Sequence, residues 1–434
     1  MIRPRVLVIA EAANPEWVSV PLVGWSLAHA LREVADVHLV TQLRNRAAIL
    51  RAGLVEGRDF TALDTESVAR PMHRIATALT RGKGGWTTQQ AIGAVSYHWF
   101  EWLLWQRFGP QIRAGAFDIV HRVTPLSPTV SSGLATKCKV AGVPFILGPL
   151  NGGVPWPRAF DAARRQEREW LSYVRGGYKL LPGRNRTLAA SAAILVGSRH
   201  TESEIPARFR DRTIYLPENG IDPERFDMTT PPAAPGGPMR AAFVGRMVPY
   251  KGPDMLIEAA LPLLRAGKLH LDMIGNGPIL SDLKVLAERE GVTSAITFHG
   301  WLDHKSVQGV LGGCNLLSFP SIREFGGGVV LEAMALGIPA LIVDYAGPGE
   351  LVTPGTGFKV PLGTREEIVR NFGAELQRLC ENPQELVAAG ASARTRVEML
   401  FTWSRKAGQI ARIYDWVLGK EGVRPDPMMA TAAK

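Results

Sequence analysis

A chain of 434 residues is longer than one hydrophobic core usually supports, so its length predicts two or three domains. Its composition, 46% hydrophobic and 21% charged, is that of a globular protein. It contains no run of about 18 uncharged apolar residues that would cross a membrane. The net charge of +10 is unevenly distributed: the first 200 residues carry 25 Lys and Arg against 13 Asp and Glu, a charge of +12, and the remainder carries −2. This asymmetry predicts an anionic partner for the first half of the chain.

Several anionic partners are compatible with this basic half. Its Lys and Arg residues do not alternate with aromatic residues in a nucleic-acid recognition pattern, so we expect no nucleic acid. An anionic membrane surface or a phosphate-bearing acceptor fits better, and a merely solvated surface is the open alternative.

The first residues and the cysteines both favour a cytoplasmic protein. The apolar run Val6–Ala10 is shorter than the core of a signal peptide and no small-residue cleavage site follows it, so we expect a buried strand. Cys138, Cys314 and Cys380 are odd in number and far apart, which fits neither a disulfide framework nor a metal site. We expect a reducing compartment and buried cysteines.

Short apolar runs alternate with amphipathic stretches, as in parallel α/β sheets. In the first half we predict a helix over Val23–Glu33 and strands at Val6–Ala10, Asp36–Thr41, Asp118–His121, Pro144–Gly148 and Ala193–Gly197. A second series of strands is predicted at Arg240–Gly245, Leu269–Ile274, Ile296–Gly300, Asn315–Phe319 and Ile338–Val343. The expected fold is α/β, with two doubly wound, Rossmann-like domains facing a central cleft.

Composition also indicates the domain boundaries. Residues 227–239 contain four prolines and two glycines and cannot continue a helix or an interior strand, so they are predicted to be a linker. The N-terminal domain is then 1–226 and the C-terminal domain 240–400. Residues 401–419 have helical apolar spacing, and the aperiodic residues 420–434 are expected to be frayed.

The stretch 319–339 is the most informative part of the sequence. A predicted strand ends there, a loop carries Glu324, and Gly326–Gly328 precede a helix that contains Glu332. Amides at a helix start, with no side chains in the way, form a phosphate cradle. A carboxylate about two turns further on is placed to accept hydrogen bonds from both hydroxyls of a ribose. The alternative is a tight turn flanked by two surface glutamates.

A second junction of strand, loop and helix, Phe243–Asp254, carries Arg246 and Lys251 to the same edge of the predicted sheet. A leaving nucleoside diphosphate gains negative charge, and cations and amides neutralise it where no metal ion is held. No DxD-type pair of carboxylates occurs in a suitable loop, so we expect chemistry that requires no metal. The turns Gly275–Pro278 and His299–Trp301 also follow strands, and each either shapes a nucleobase pocket or is only a turn.

Together these residues resemble glycosyltransferase family 4, a group of retaining enzymes with the GT-B fold. The resemblance is strong over residues 190–420 and looser before them. It rests on a Glu-x7-Glu pair, Glu324 and Glu332, and on the segments Pro217–Asp222, Val244–Gly252, Ile274–Pro278, Phe298–Trp301 and Glu332–Pro339. The closing Thr402–Ser404 and its helix resemble the family's C-terminal element, which returns to the N-terminal domain.

The resemblance implies a transfer of sugar from a nucleotide diphosphate donor, bound by the C-terminal domain, to a glycan or lipid-linked acceptor, bound by the N-terminal domain. Arg246 and Lys251 would bind the diphosphate and Glu324 the transferred sugar, which makes these three the candidate catalytic residues. Glu332 would bind the ribose. The other candidate donor contacts, several through backbone amides, are Gly245, Asn276, Trp301, Gly326, Gly327, Gly328, Val329 and Val330. In retaining members the leaving phosphate takes the acceptor's proton, and no protein nucleophile or metal cofactor is needed.

The N-terminal half departs from the family pattern. His121 is either a sugar contact or a satisfied strand residue. The glycine-rich loop after the first strand is replaced, and Gly24, expected to open the next helix, is the candidate for an amide contact with the diphosphate. The loop Gly148–Gly153 resembles a Gly-Pro-x-Gly-Gly loop of some relatives, which makes Asn151 and Gly152 candidates for sugar or acceptor contact, although it fits a simple turn equally well.

Two aromatic stretches concern packing and partners. We expect Tyr97–Phe108 to contribute a core-facing stripe. The basic stretch Arg158–Lys179 is either a solvated surface or a helix that docks on an anionic membrane, and the second possibility predicts a peripheral protein on the inner face of the membrane.

Two alternative functions stay open. A sugar-nucleotide epimerase or hydrolase of GT-B architecture would need an acid/base pair beside the donor sugar, where only Glu324 is placed. A non-catalytic sugar-nucleotide-binding subunit would tolerate the loss of the cations that bind the diphosphate, or of Glu332. Arg246, Lys251, Glu324 and Glu332 are all present. The donor's base and sugar, and the acceptor, depend on loops that carry no motif.

Overall fold

The computed structural model describes residues 3–66, 86–152, 154–161, 182–223, 226 and 237–428. The predicted linker up to residue 236, the basic stretch from residue 162 onward and residues 429–434 of the tail lie outside the described residues. The chain divides into two compact units. The first comprises Met1–Gly153, Arg165–Glu218 and Trp403–Lys434, and the second comprises Val154–Arg164 and Asn219–Thr402.

These units differ from the predicted domains in their boundaries. The change of unit that we placed at residue 226 occurs after Glu218, and the second unit ends at Thr402 instead of residue 400. Residues 154–161, predicted to be N-terminal, belong to the second unit. Proline and glycine content marks where a chain leaves regular structure, but it does not report where its contacts pass from one core to another.

Each unit is built on a parallel sheet. Within the described residues, the strand order is β3-β2-β1-β4-β5-β6-β7 in the first and β10-β9-β8-β11-β12-β13 in the second. The strands of the first sheet are β1 Arg5–Ala10, β2 Asp36–Gln42, β3 Phe60–Leu63, β4 Ile119–Thr124, β5 Phe145–Leu150, β6 Ala193–Val196 and β7 Thr213–Tyr215. Those of the second are β8 Met239–Val244, β9 Leu269–Ile274, β10 Ile296–Gly300, β11 Leu316–Phe319, β12 Ala340–Val343 and β13 Gly357–Val360.

Helices connect the strands, as parallel pairing requires. In chain order they are α1 Val20–Ala30, α2 Arg46–Arg51, α3 Trp86–Arg113, α4 Gly133–Val140, α5 Pro182–Ala190, α6 Arg199–Ser203, α7 Pro253–Arg265, α8 Leu280–Arg289, α9 His304–Gly312, α10 Gly328–Ala335, α11 Ala346–Leu351, α12 Arg365–Glu381, α13 Pro383–Leu400 and α14 Trp403–Val417. No helix among the described residues combines the length and the apolarity that crossing a bilayer requires.

Each predicted strand is present: Leu269–Ile274 and Ile296–Gly300 have the predicted bounds, and the ends of the others differ by at most three residues. The predicted α/β class is confirmed. Three strands were not predicted, and β3, β7 and β13 all lie at the edge of a sheet. Edge strands are short and need no continuous apolar run, which leaves little pattern to detect.

The central strand β1 shows why the first unit has two core layers. Val6 and Val8 belong to one buried cluster, and Leu7 and Ile9 belong to another, because successive side chains of a strand point to opposite faces. The aromatic stretch of α3 contributes Tyr97, Phe100, Leu104 and Phe108 to the second cluster, whereas Trp102 on its outer face is 46% exposed. The expected core-facing stripe is therefore present.

The C-terminal helix α14 belongs to the first unit. Its Ile410, Ile413 and Tyr414 are buried in the same cluster as Val6. The residues after it were predicted to be frayed, but the described part, 420–428, is tied to this unit. The Arg424 guanidinium donates hydrogen bonds to the carbonyl oxygens of Arg210 and Thr213, at 2.8 and 3.1 Å. The absence of periodicity gave no information on these side-chain bonds.

Candidate functional site

Three loops of the second unit follow neighbouring strands of its sheet. The loop after β8 carries Arg246 and Lys251, the loop after β11 carries Glu324, and the loop after β12 carries Tyr345. Parallel strands bring such loops together at the carboxyl edge of a sheet, where open α/β sheets bind ligands. This edge is the candidate site.

Lys251 and Glu324 join the first two of these loops. The Lys251 ammonium donates a hydrogen bond to the Glu324 carboxylate, and the two side chains are 16% and 20% exposed. The next residue, Gly252, has a φ of 72°, and a Cβ there would stand 2.7 Å from the carbonyl oxygen of Pro320, so glycine permits the close approach. Burial, reinforced by the charge of Arg323, lowers the pKa of Lys251 to about 7. An adjacent anion would stabilise its charged form.

The start of α10 provides amides for such an anion. Gly327 has a φ of 62° and caps the helix, and the Val330 N–H donates to the Gly327 carbonyl oxygen at 2.9 Å. The N–H groups of Gly328 and Val329 therefore precede the first hydrogen bond of the helix and have no acceptor within it. The Val330 amide, predicted as part of the cradle, is already used. A Cβ at Gly328 would meet nothing closer than the Asn219 side chain at 3.8 Å, so the approach to these amides is open.

Glu332 is the fifth residue of α10. It therefore lies about one turn beyond the two amides, and the predicted distance of two turns was wrong because the helix begins later than the glycine run suggested. Burial raises the pKa of its carboxyl group, and the charge of His304 opposes the rise. Hydroxyl groups that donate hydrogen bonds to this carboxylate would favour its charged form.

Two arginines at this edge differ in their surroundings. Arg246 is exposed in the loop after β8. Arg323, which the sequence analysis did not select, is 6% exposed, and its Cζ lies 5.0 Å from the ring centre of Trp156 and 5.5 Å from that of Phe325. Its position in the sequence could have indicated a role, because Arg323 directly precedes Glu324 in the loop after a predicted strand.

The remaining predicted donor contacts lie in supporting loops. The Met247 N–H donates to the Asn276 carbonyl oxygen at 2.9 Å, and a Cβ at Gly275 would stand 1.9 Å from the Gly245 carbonyl oxygen. The backbones of the loops after β8 and β9 are therefore packed directly on each other, which fixes the Arg246 loop. Trp301, after β10, is 76% exposed. Gly326 lies in the loop just before the cap of α10.

In the first unit, His121 is not available to a sugar. It is fully buried in the middle of β4, where its Nε2 donates to the Gly148 carbonyl oxygen and its Nδ1 accepts from the Tyr414 hydroxyl, both at 2.8 Å. Burial lowers the pKa of His121 to about 4, so the ring is neutral. Of the two predicted roles, the structure supports the satisfied strand residue.

Asn151 and Gly152 are part of a buried polar cluster at the end of β5. The Asn151 side chain donates to the Glu218 carboxylate at 2.5 Å and accepts the Gly152 N–H at 2.8 Å. The Gly152 carbonyl oxygen accepts from Thr201 at 3.3 Å. Lys406 of α14 is also buried and donates to the Pro217 carbonyl oxygen. These contacts hold the loop after β5 within the first unit.

Gly24 does not open a helix, contrary to the prediction. It is the fifth residue of α1, so its amide lies past the free N–H groups of the helix start. A Cβ at this position would stand 2.1 Å from the Ala12 carbonyl oxygen. Glycine is needed here because α1 packs directly on the loop after β1. The predicted contact of the Gly24 amide with a diphosphate has no support in this structure.

The three cysteines lie at positions where they contribute to packing. Cys138 and Cys314 are buried as expected and Cys380 is half-buried. Burial raises the pKa of Cys314 to about 12, and its thiol lies beside Asp272, which is paired with Arg240 and His299. In the described ranges, no three or more His, Cys, Asp and Glu side chains are grouped as ligands of a metal ion.

Comparison with known proteins finds similar sequences. The family model for glycosyl transferases group 1 matches residues 227–396. D-inositol 3-phosphate glycosyltransferase of Gordonia bronchialis is 31% identical over 245 residues, which are 50% of this chain and 52% of the relative. The GDP-mannose-dependent monoacylated alpha-(1-6)-phosphatidylinositol monomannoside mannosyltransferase of Corynebacterium glutamicum is 27% identical over 261 residues, 55% of this chain and 66% of the relative. The chain thus spans 52% to 66% of the length of these relatives.

A solved structure shows the same architecture over nearly the whole chain. Anabaena HepE, in complex with UDP and glucose, superposes with a TM-score of 0.58 at 13% identity and covers 95% of this chain and 100% of its own. At this identity the likeness concerns the fold. The predicted fold class is confirmed: the chain has the two-domain GT-B fold, and its residues 227–396 match the family model for glycosyl transferases group 1.

Proposed function

We propose that this protein is a glycosyltransferase that moves a sugar from a nucleotide diphosphate sugar to a glycan or lipid-linked acceptor. The observation that carries the proposal is the set of groups at the carboxyl edge of the second sheet. The Lys251–Glu324 pair lies there with the free amides of Gly328 and Val329, and Glu332 stands one turn further along the helix. A cation and amides suit a diphosphate, and carboxylates suit hydroxyls.

In the proposed reaction, the bond between the anomeric carbon of the sugar and the phosphate oxygen breaks, and a bond to the acceptor oxygen forms. Lys251, Arg246 and the helix amides stabilise the negative charge that develops on the leaving nucleoside diphosphate. The acceptor attacks on the face that the diphosphate leaves, and its proton passes to the leaving phosphate oxygen. Glu324 orients the sugar through its hydroxyls. The configuration at the anomeric carbon is retained, and no metal ion is required.

The comparisons support a nucleotide sugar donor but leave its base open. The HepE structure contains UDP and glucose, whereas the Corynebacterium glutamicum relative is GDP-mannose-dependent. The names of the two relatives specify an inositol phosphate and an acylated phosphatidylinositol monomannoside as acceptors. A phosphate-bearing acceptor would suit the basic first half of this chain, which contains 25 Lys and Arg against 13 Asp and Glu in residues 1–200.

Product analysis tests the proposal. UDP-glucose, GDP-mannose, ADP-glucose and dTDP-glucose are incubated with the protein and with phosphoinositide or glycan acceptors, in buffer with EDTA. We expect one donor to give nucleoside diphosphate and a glycosylated acceptor with retained anomeric configuration. Free sugar without any acceptor product would support a hydrolase, and activity that appears only after a divalent metal is added would contradict the metal-independent mechanism.

The proposal includes association with an anionic membrane surface on the cytoplasmic side. It is supported by the charge of the first half of the chain. Arg164, Arg165 and Arg168 of the basic stretch lie outside the described residues. We expect their replacement by Gln to reduce cosedimentation with vesicles of anionic phospholipid, and unchanged binding would remove this stretch from the proposal.

A further inference from the structure

A short segment of the chain contacts each of the three loops at the candidate site. Residues 154–157, here called the Trp156 segment, follow the loop after β5 but belong to the second unit. The Trp156 ring meets the Tyr250 ring edge-on, with ring centres 5.8 Å apart, and stacks against Arg323 at 5.0 Å. The Tyr345 hydroxyl donates to the Pro155 carbonyl oxygen at 2.8 Å.

Each of these contacts is made next to a group of the proposed site. Tyr250 directly precedes Lys251, and Arg323 directly precedes Glu324. Tyr345 is the N-cap residue of α11. The Leu351 side chain of α11 packs close to Gly327, the N-cap residue of α10, and a Cβ at Gly327 would lie 3.0 Å from it. The Trp156 segment therefore touches the supports of the cation, of the carboxylate and of the helix start.

The physical environment makes Trp156 the main residue of this segment. Its side chain is 7% exposed, and Arg323, at 6%, lies against both its ring and that of Phe325. A desolvated guanidinium on an aromatic face and an edge-on aromatic pair both stabilise the arrangement of the groups that form them. Loops have few ladder hydrogen bonds, so such side-chain contacts determine where their residues lie.

We propose that Trp156 is a positioning residue of the donor site, which holds Arg323 and Tyr250 so that Lys251 and Glu324 meet the diphosphate and the sugar in the reactive arrangement. This inference rests on the proposed function. It assigns a role in donor binding to a residue that lies outside the matched family domain of 227–396 and is provided by the chain after β5.

The position of Arg323 can be followed independently of stability. Its charge lowers the pKa of Lys251, in addition to the effect of burial. If Arg323 moves away when Trp156 is removed, the pKa of Lys251 rises, and the pH dependence of nucleotide binding moves to higher pH. A residue that only stabilises the fold would lower the melting temperature without this shift.

The experiment uses calorimetric titration with UDP, GDP, ADP and dTDP between pH 6.5 and 9, without metal, on the full chain and on Trp156→Ala and Trp156→Phe. The matched control is Trp25→Ala, because Trp25 is 8% exposed and stacks on His29 at 5.0 Å in α1 of the first unit. For Trp156→Ala we expect a loss of affinity of about ten- to a hundredfold for the nucleotide that the wild type binds, with the pH midpoint moved upward. Trp156→Phe, which keeps an aromatic face, restores most of the affinity and the midpoint.

The outcomes separate the inference from the proposed function. Wild-type protein that binds none of the four nucleotides contradicts the proposed function itself. If the wild type binds one nucleotide but Trp156→Ala behaves like Trp25→Ala, the inference alone is overturned. If Trp156→Ala does not fold, Trp156→Leu and Tyr345→Phe replace it in the test. A smaller loss of nucleotide affinity with an upward move of the pH midpoint supports the inference. Unchanged affinity and an unchanged midpoint in both variants overturn it.

Discussion

The two units of the chain contain similar polar residue types that are used in different ways. In the second unit, Lys251, Glu324 and Glu332 are only partly buried, and the first amides of α10 have no acceptor inside the helix. In the first unit, His121 and Lys406 are fully buried and their nitrogens are bonded to groups of the same unit. A polar residue therefore indicates a ligand site only if its hydrogen-bonding capacity is not consumed by the fold.

Burial has a different consequence in each unit. It lowers the pKa of both Lys251 and Lys406 to about 7. Lys406 donates to a backbone carbonyl oxygen that is always present, so its role is to hold α14. Lys251 lies at the same sheet edge as the helix amides that can bind an anion, so its charge can respond to a ligand.

The largest effect is expected from Lys251→Ala. It removes a cation that stabilises charge on the leaving diphosphate, so sugar transfer should slow by about a hundred- to a thousandfold. Turnover is measured at saturating donor, with Lys284→Ala as the control because Lys284 is exposed on α8 of the same unit. Equal turnover in the two variants would contradict the role of Lys251.

Glu332→Ala should act mainly on binding. Loss of a carboxylate that accepts hydrogen bonds from the ribose should weaken nucleoside diphosphate binding about ten- to a hundredfold, as expected for hydrogen bonds to a charged group. Calorimetry measures the change, and Glu288→Ala, which removes an exposed carboxylate of α8, is the matched control. An unchanged dissociation constant would show that Glu332 lies outside the nucleotide site.

The pH dependence of binding should report Lys251. Its pKa is lowered to about 7 in the free protein, and a bound diphosphate raises it, so binding takes up a proton above pH 7. Affinity should be highest near neutral pH and fall by up to about tenfold for each further pH unit, until the pKa of the complex is reached. Lys251→Arg carries a permanent charge and should give a flat profile above pH 7. A sloping profile in this variant would assign the titration to another group.

The smallest effect on function is expected in the first unit. Tyr414→Phe removes the hydroxyl that donates to His121 and leaves a buried ring nitrogen without that donor. We expect a loss of about 1 to 3 kcal/mol in the free energy of unfolding, hence a lower melting temperature, with donor affinity and turnover unchanged. Calorimetric melting measures the melting temperature, and the transfer assay measures turnover. Reduced turnover without a change in melting temperature would give His121 or Tyr414 a functional role.

The sequence predicted that these residues of the second unit lie at one edge of its sheet, because the signals are local. One short stretch contains the end of a strand, the glycine run, Glu324 and Glu332. The strand and helix patterns alone therefore place these residues at the carboxyl edge of the sheet. The start of α10 was less predictable, since it depends on the left-handed conformation of Gly327.

The features that could not be predicted depend on distant parts of the chain. His121 and Tyr414 are 293 residues apart in sequence, and no periodicity links them. Gly24 was misplaced because its requirement comes from the backbone of Ala12, a packing contact without a pattern. Trp156 was overlooked because its partners Tyr250 and Arg323 belong to another unit of the chain than its sequence neighbours before residue 153.

Calorimetric titration with UDP, GDP, ADP and dTDP in EDTA tests the central claim most directly, on wild type, Arg246→Ala and the control Arg378→Ala, whose arginine pairs with Glu375 and Glu385 on α12 and α13. We predict that the wild type and the control bind one nucleotide selectively and that Arg246→Ala loses most of this affinity. A folded wild-type protein that binds none of the four, or an Arg246→Ala variant that binds as tightly as the control, would contradict the assignment of the donor site to the second unit.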